Sequence, residues 1–556
     1  MGNQLSKKFF VFLGILLLIN LLQAHFTPLI YDETYYWYYS QNMAWGYFDH
    51  PPMVALLAKI SGLFFDGEIG VRLIGCFLGI GTVIIVWLLV DDKQKEKQTP
   101  LFFLLAFSMV LFNAYGFLTL PDTPLLFFTA LFLWIYRGFL KKSSMGLAIV
   151  LGLCMACLLY SKYHGVLVIF FVFLSNVKLV RNIYAWAAIL IALAAYSPHL
   201  FWLVENDFIS IKYHLFERPN QSYSFDRFTL AYLLNLIANF GLLFPWFYWA
   251  LFKTKSKDQF QKSLLFVCYG IILFFFLSSF QRKAQAQWVI VICVPMLVIT
   301  FNYIVRYLGN KKWLWRVGLF STVLIVYARI WLIYHPLIPF LKYETHGPKE
   351  WVRKVNEIVG DTPIVFENGY RRASMYSFYS GNPTFSLNSI FYRQNQYSID
   401  NSESHFQNKR IAFVTPHAKS GEFTYAPFRS RRYYGWFIND FKSFRKLRCF
   451  LDKEIANING DIHTLKVFNP YDENITLNKL QFNVAYLDRF RDTLEIKPIS
   501  LNPIASRTEI LKANDTTKFH FKFPKTTGQK PHFLKFSISE NNLPSGLNSV
   551  SIKVKR

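Results

Sequence analysis

The sequence has no G-x-G-x-x-G, no G-x-x-x-x-G-K-[ST] and no H-E-x-x-H string. A dinucleotide cradle, a P-loop and a zinc-protease helix are therefore without support, and so is a nucleotide-dependent mechanism. Cysteine is scarce, with six in 556 residues: Cys76, Cys154, Cys157, Cys268, Cys293 and Cys449. Five lie in apolar runs and Cys449 stands alone in the rest of the chain, so no disulfide framework can form there. Cys154 and Cys157 make a C-x-x-C inside an apolar run without charged neighbours, which reads as two small packing residues. Acidic residues are few, 34 against 60 Lys+Arg, leaving a net charge of +26. No clear internal repeat of the kind carriers show is present.

What is abundant is apolar surface. Hydrophobic residues make up 53% of the chain and aromatics 19%, with a mean hydropathy of +0.24. A soluble domain is typically less apolar and less aromatic, and the length exceeds one compact domain. Apolar runs recur up to Tyr343 and then stop, which divides the chain into a membrane region and a soluble region. Through Glu344 there are 28 Lys+Arg and 15 Asp+Glu, and beyond it 32 and 19. The first excess sits mostly in short loops, so it points to membrane topology and not to nucleic acid. The second reads as a solvated surface, with anionic headgroups as its alternative partner. Lys7-Lys8 followed by an apolar run resembles a signal peptide; it is read as an uncleaved first span, because a functional motif begins a few residues later. MGNQLS matches a myristoylation pattern by chance.

A span needs about 20 mostly apolar residues. Eleven candidates are 9–24, 71–90, 101–118, 124–140, 145–160, 165–177, 183–203, 229–252, 263–280, 287–305 and 316–334. Alternate connections hold eighteen Lys+Arg in one set, including Lys93, Lys255 and Lys311, and eight in the other. The positive-inside rule places the richer set, with the N-terminus, in the cytoplasm of a plasma (inner) membrane protein. An odd number of spans then puts the C-terminal region outside. The eight cations that the rule disfavours are Lys59, Arg72, Lys162, Lys212, Arg218, Arg227, Arg282 and Lys283. Singly they read as snorkelling residues; collectively, at span ends, they favour a phosphate-bearing substrate.

Residues 25–70 form a long, aromatic first outer loop. Pro51-Pro52 opens a second helical run with Met53, Leu56, Leu57, Ile60 and Phe64 on one face, too short to span, so both pieces are expected to lie in the interface. Asp32-Glu33 and Asp49 sit at the edges of these apolar helices, where a carboxylate is costly unless used. Asp122, in LPDTP, has a helix N-cap as its equally good alternative.

At these residues the chain resembles a known family. YDETYYWYYSQNMAWGYFDHPPMVALLAKISGLFFDGEIGVRLIG is similar to the first-loop signature of bacterial protein-O-mannosyltransferase-like glycosyltransferases. These have the GT-C fold and are related to the lipid A aminoarabinose transferases. PDTPLLFF at 121–128, LLYSKYHG at 158–165 and RKAQAQW at 282–288 resemble later family elements, and the resemblance covers roughly residues 8–340. Where the aminoarabinose branch has Glu-Lys before the double proline, this chain has Asp49-His50.

The resemblance implies an enzyme that moves a sugar, with inversion, from a polyprenyl-phosphate donor to an outer lipid, glycan or protein acceptor. Asp32 is then the expected general base for the acceptor hydroxyl. Lys162 and Lys283, with Arg72, Arg282 or His50, are expected to stabilise the departing phosphate. Glu33, Asp49 and Asp122 are expected on the substrate, with Asp49 and Asp122 orienting sugar hydroxyls. A divalent metal between Asp32 and Asp49 is open, and spacing alone does not demand it. The alternative reading is a flippase of lipid-linked sugars, which would have no need of a carboxylate-rich interfacial loop. A silent glycan-binding subunit is disfavoured by the intact Asp32. Arg329, inside the last span, either pairs or snorkels. The C-terminal region is expected to hold a small α/β unit over 344–425 and a β-rich module over 426–556.

Overall fold

The computed structural model describes residues 6–217, 221–427, 431–451, 455–458, 462–504 and 509–555. Arg218 and the first five residues of the MGNQLS string lie outside the described residues. The chain divides into two compact units, 1–210 with 223–346, and 211–222 with 347–556. The polypeptide is an integral membrane protein: among the described residues seven helices are long and apolar enough to cross a bilayer, or eight if one bent pair counts as a span.

Each of the eleven apolar runs falls on helix, but not each is a regular span. Seven coincide with the long helices Lys7–Phe26, Gly67–Leu89, Asp122–Lys141, Ile183–Glu205, Gln259–Ser278, Ala286–Tyr307 and Lys312–Ile333. The run 229–252 is broken by 101° between Asp226–Asn239 and Gly241–Lys253. Gly241 makes the corner with φ +55°, and a Cβ there would lie 2.6 Å from the Ser108 carbonyl oxygen. The run 101–118 is likewise split, into Thr99–Ser108 and Val110–Ala114. Met145–Ser161 has 17 residues and Gly165–Ser175 only 11. At a rise of about 1.5 Å per residue, the latter reaches roughly half of a ~30 Å hydrocarbon core.

The first span is capped by Ser6, whose Oγ accepts from the Phe9 amide. Its far end is tied inward by Gln23, which donates to Thr27 Oγ1 and to the Arg329 carbonyl. Arg329 itself is buried and pairs within the protein. Its Nε donates to Asn113 Oδ1 at 2.8 Å and its Nη2 to Asn20 Oδ1 at 2.8 Å, with the Phe117 ring 4.7 Å away. Snorkelling is thus ruled out for it, and the charge is spread over two amides and a ring face instead of one carboxylate.

In the second unit, β1 (Ile364–Glu367), β2 (Thr384–Leu387), β3 (Lys409–Thr415), β4 (Phe423–Tyr425) and β5 (Tyr433–Phe441) form a sheet in the order β2-β1-β3-β5-β4. β1 is parallel to β2 and β3, while β5 is antiparallel to β3 and β4. Helix Pro348–Val359 precedes β1, and helix Tyr370–Ser380 makes the crossover to β2. The sheet continues to Phe441, so the expected division at 425/426 is displaced: β5 is an aromatic strand that completes the α/β sheet. Beyond it, a five-stranded and a four-stranded sheet enclose a shared core of Leu465, Val467, Val484, Phe519, Leu534 and Phe536. The alternating burial of Ile462–Asn469 and Asp515–Lys522 is that of strands with one face in the core.

Candidate active site

The site is built at the end of the first span. Helix Tyr31–Gln41 starts without a side-chain cap at Ile30, and the Glu33 carboxylate fills that role by accepting from the Ile30 amide at 3.2 Å. The same carboxylate takes Arg72 Nε at 2.7 Å, Arg72 Nη2 at 2.5 Å and the Thr119 amide at 3.0 Å. Arg72 Nη1 donates to the carbonyls of Ala24 and Thr27. Both side chains are 0% exposed. Glu33 and Arg72, both expected on the substrate, are here joined to each other. The pair ties the end of the first span, the interfacial helix, helix Gly67–Leu89 and the turn at 119 into one frame. Its sequence signal was the charge of each residue; what was missing was that the two charges satisfy each other.

Asp32, one residue before Glu33, is only partly buried. The Tyr31 amide beside it donates to Glu344 Oε2 at 3.1 Å. Asp122 occupies the first turn of Asp122–Lys141, but its carboxylate does not cap that helix. Both its oxygens accept from Lys162 Nζ, at 2.8 and 2.9 Å, and it also hydrogen-bonds the Tyr115 hydroxyl. Asp32, Asp122 and Tyr343 all act electrostatically on Tyr115. Tyr343 in turn faces Glu344, Glu33 and Asp32, and burial together with these carboxylates pushes its phenol up to about 12. Asp32 and Asp122, the latter holding Lys162, therefore share Tyr115 as a neighbour, and Asp32 also acts on Tyr343. Tyr115, Tyr343 and Glu344 were missed by the sequence reasoning; Tyr115 lies in an apolar run like many others, and Glu344 lies over 300 positions from Tyr31.

The loop carries a further carboxylate, Asp49. Asp49 Oδ1 accepts from the Tyr39 hydroxyl at 2.6 Å and acts on Tyr163, the residue after Lys162. His50 lies against Tyr36, with ring centroids 5.4 Å apart. The far end of the loop is pinned to helix Ile183–Glu205. His199 Nδ1 lies 2.7 Å from the Trp45 carbonyl and Nε2 lies 3.2 Å from the Tyr163 hydroxyl. A Cβ on Gly46 would sit 2.3 Å from the Trp202 ring, so only glycine allows this approach. His199 is a further residue that sequence reasoning passed over.

Of the later cations, Lys162 joins the carboxylates. Arg282 is partly buried, and Lys283 is exposed and has no hydrogen bond or ion pair among the described residues. Their segment approaches through Trp288, whose ring lies 5.4 Å from that of His164. No group of three or more His, Cys, Asp or Glu residues able to hold a metal ion occurs among the described residues.

A bundle of membrane helices followed by a β-rich C-terminal region is the GT-C fold. The family model of dolichyl-phosphate-mannose-protein mannosyltransferases matches residues 49–202. The lipid A galacturonosyltransferase RgtD of Rhizobium johnstonii is 24% identical over 298 residues, which are 49% of this chain and 60% of that protein; the match thus spans about three fifths of the relative's length. The structure of ArnT from Cupriavidus metallidurans in the apo state is similar with a TM-score of 0.55 and 14% identity, covering 77% of this chain and 97% of that one. The same protein bound to undecaprenyl phosphate gives a TM-score of 0.55, 13% identity and the same coverage.

Proposed function

We propose that the protein is an inverting glycosyltransferase that moves a sugar from a polyprenyl-phosphate donor to an extracytoplasmic lipid, glycan or protein. The observation that carries this is the shared neighbourhood of Asp32 and the Asp122–Lys162 pair around Tyr115. A base and a phosphate-binding cation are both needed for such a transfer, and in this reading Asp32 and Lys162 supply them. Asp32, partly accessible, takes the proton of the acceptor hydroxyl as its oxygen attacks the anomeric carbon. The bond from that carbon to the phosphate oxygen breaks, and the polyprenyl phosphate leaves with the electron pair. Lys162 meets the charge that grows on the leaving oxygen; Asp122 holds the ammonium in place before the donor arrives. The Glu33–Arg72 pair positions the helix that carries Asp32, and Asp49 orients the sugar. The relatives support the reading: a named relative is a lipid A galacturonosyltransferase, and ArnT has been captured with undecaprenyl phosphate. The topology that goes with it has a cytoplasmic N-terminus and the site on the outer face. The test is reconstitution of purified protein with polyprenyl-phosphate sugars and membrane-extract acceptors. Sugar incorporation into an acceptor is expected. Movement of the lipid-linked sugar across the bilayer without incorporation would replace the enzyme by a flippase.

A further inference from the structure

The C-terminal unit holds a small polar cavity where the α/β sheet passes into the β-rich module. Its walls include Ser386, Asn388, Ser398, Glu403, Arg445 and Lys446. Ser386 lies in β2, the next three in the connection from β2 to β3, and the two cations just beyond β5. The cavity measures about 30 Å³, and about 10–15 Å³ is enough for one particle the size of water. A sugar ring, a phosphate or an organic carboxylate is therefore too large for it.

Arg445 brings unmade hydrogen bonds to this space. Its side chain is 8% exposed, and its Nε lies 3.0 Å from Glu540 Oε1, at the end of strand Phe533–Glu540. Its Nη1 and Nη2 are buried and have no hydrogen-bond partner among the described residues. A Cβ on Gly546 would lie 2.7 Å from Nη1, so glycine is what admits the guanidinium here. Buried donors of a charged group are costly until an acceptor meets them. Ser398 supplies another donor. Its Oγ accepts from Asn388 Nδ2 at 2.7 Å and from the Asn395 amide at 3.2 Å, and its own proton has no acceptor among the described residues. Glu403, the carboxylate in the wall, is already engaged. Its Oε1 accepts from the Ser443 hydroxyl and the Arg445 amide, and its Oε2 from the Tyr471 hydroxyl. Glu540 Oε1 accepts from the Phe444 amide, and burial raises this carboxyl from 4.5 to about 7 against the pull of Arg445, with Glu403 adding to the rise. When Glu540 is protonated, Arg445 and Lys446 face Glu403 alone, and one positive charge is left over.

We propose that this cavity binds one monatomic anion, chloride in ordinary salt solutions, held by Nη1 and Nη2 of Arg445 and the hydroxyl of Ser398. Water would meet the donors but would not balance the charge. Anion and proton go in together: with Glu540 ionised the four charges already cancel, and with it protonated the chloride completes the balance. The bound ion would join the β2–β3 connection to the segment beyond β5. The test uses the full-length protein in a zwitterionic nanodisc and reads the NMR line broadening of chloride as sodium chloride is titrated, with sodium gluconate keeping the ionic strength constant. Broadening is expected, and sodium bromide should remove it by competition. The affinity should be about tenfold weaker at about pH 8 than at about pH 6, because the proton on Glu540 is lost between them. Glu540→Gln should bind at both pH values as the parent does at the lower one. Arg445→Gln alone would strand Glu540, so the decisive variant is Arg445→Gln/Glu540→Gln, which removes both charges at once. It should fold and lose at least about tenfold in chloride affinity, the worth of one charge-assisted contact or more. Broadening that is absent from the parent at both pH values, or the same in the parent and the double variant, overturns the proposal. Equal affinity of the parent at the two pH values overturns the coupling to Glu540.

Discussion

Replacing Lys162 separates the two things its ammonium does. Lys162 and Asp122 are 8% and 4% exposed at the side chain, with Nζ at 2.8 Å from the carboxylate. Lys162→Met keeps most of the volume and removes the charge, leaving Asp122 buried without its cation. Breaking a buried pair from one side costs about 3–5 kcal/mol, so the single variant should unfold earlier on heating in detergent. A charge-assisted contact to the donor phosphate is worth about 1.5–3 kcal/mol, a roughly 10- to 150-fold loss in donor efficiency. In Lys162→Met alone the two effects are confounded. The double variant Lys162→Met/Asp122→Asn removes the orphaned charge, since a neutral amide needs no counter-ion. Its thermal stability should return close to the parent, while kcat/KM for the polyprenyl-phosphate sugar stays at the single-variant level. Both quantities are read from one preparation, by thermal unfolding and by radiolabelled transfer at varied donor. Lys59→Met, on the exposed side of helix Met53–Ser61, should change neither. Recovery of donor efficiency together with stability in the double variant would reduce Lys162 to a structural counter-ion and refute its phosphate role.

Glu33→Gln should destabilise by about 3–5 kcal/mol, because it strands the fully buried Arg72; a thermal transition unchanged in detergent would contradict the framing role. Gly46→Ala drives a methyl group to 2.3 Å from the Trp202 ring, and overpacking of this kind costs about 1–3 kcal/mol; transfer activity and the unfolding midpoint should fall together, and tolerance of alanine would show that the loop is not pinned there. In the C-terminal unit, burial raises Glu540 from 4.5 to about 7, with Arg445 Nε only 3.0 Å away. Since the folded value is above the unfolded one, the folded protein holds the proton longer; stability should be greatest below pH 4.5, fall as pH rises to about 7, and level off beyond. The change is on the order of 3 kcal/mol. Glu540→Gln should flatten it, and an identical pH slope in chemical denaturation of the variant would remove this residue as the cause.

The positions of the helices were legible because bilayer burial demands long apolar runs, and each of the eleven runs is helical. Their lengths and breaks were not, because the corner at Gly241 depends on the close approach of Ser108, which composition does not encode. In the site, Asp32, Asp122 and Lys162 stood out as charges at span ends. Whether a charge is used or merely satisfied is a tertiary fact: Glu33 and Arg72, 39 positions apart, cancel each other, and Lys283 is exposed. Tyr115, Tyr343 and His199 carried no signal, since one aromatic in a chain of this composition resembles the next. The β-rich region was legible from alternation. Its boundary with the α/β sheet was not, because β4 and β5 have strand patterns that fit either sheet until pairing with β3 decides.

The central claim is that Asp32 is the base for the acceptor. Asp32→Asn keeps the shape of the side chain and removes its basicity. The most direct measurement is the transfer rate of this variant at saturating donor, with donor binding measured on the same preparation. A fall of about 100-fold or more in turnover, with donor affinity and thermal stability close to the parent, is the predicted result. Turnover close to the parent, with donor binding intact, would contradict it.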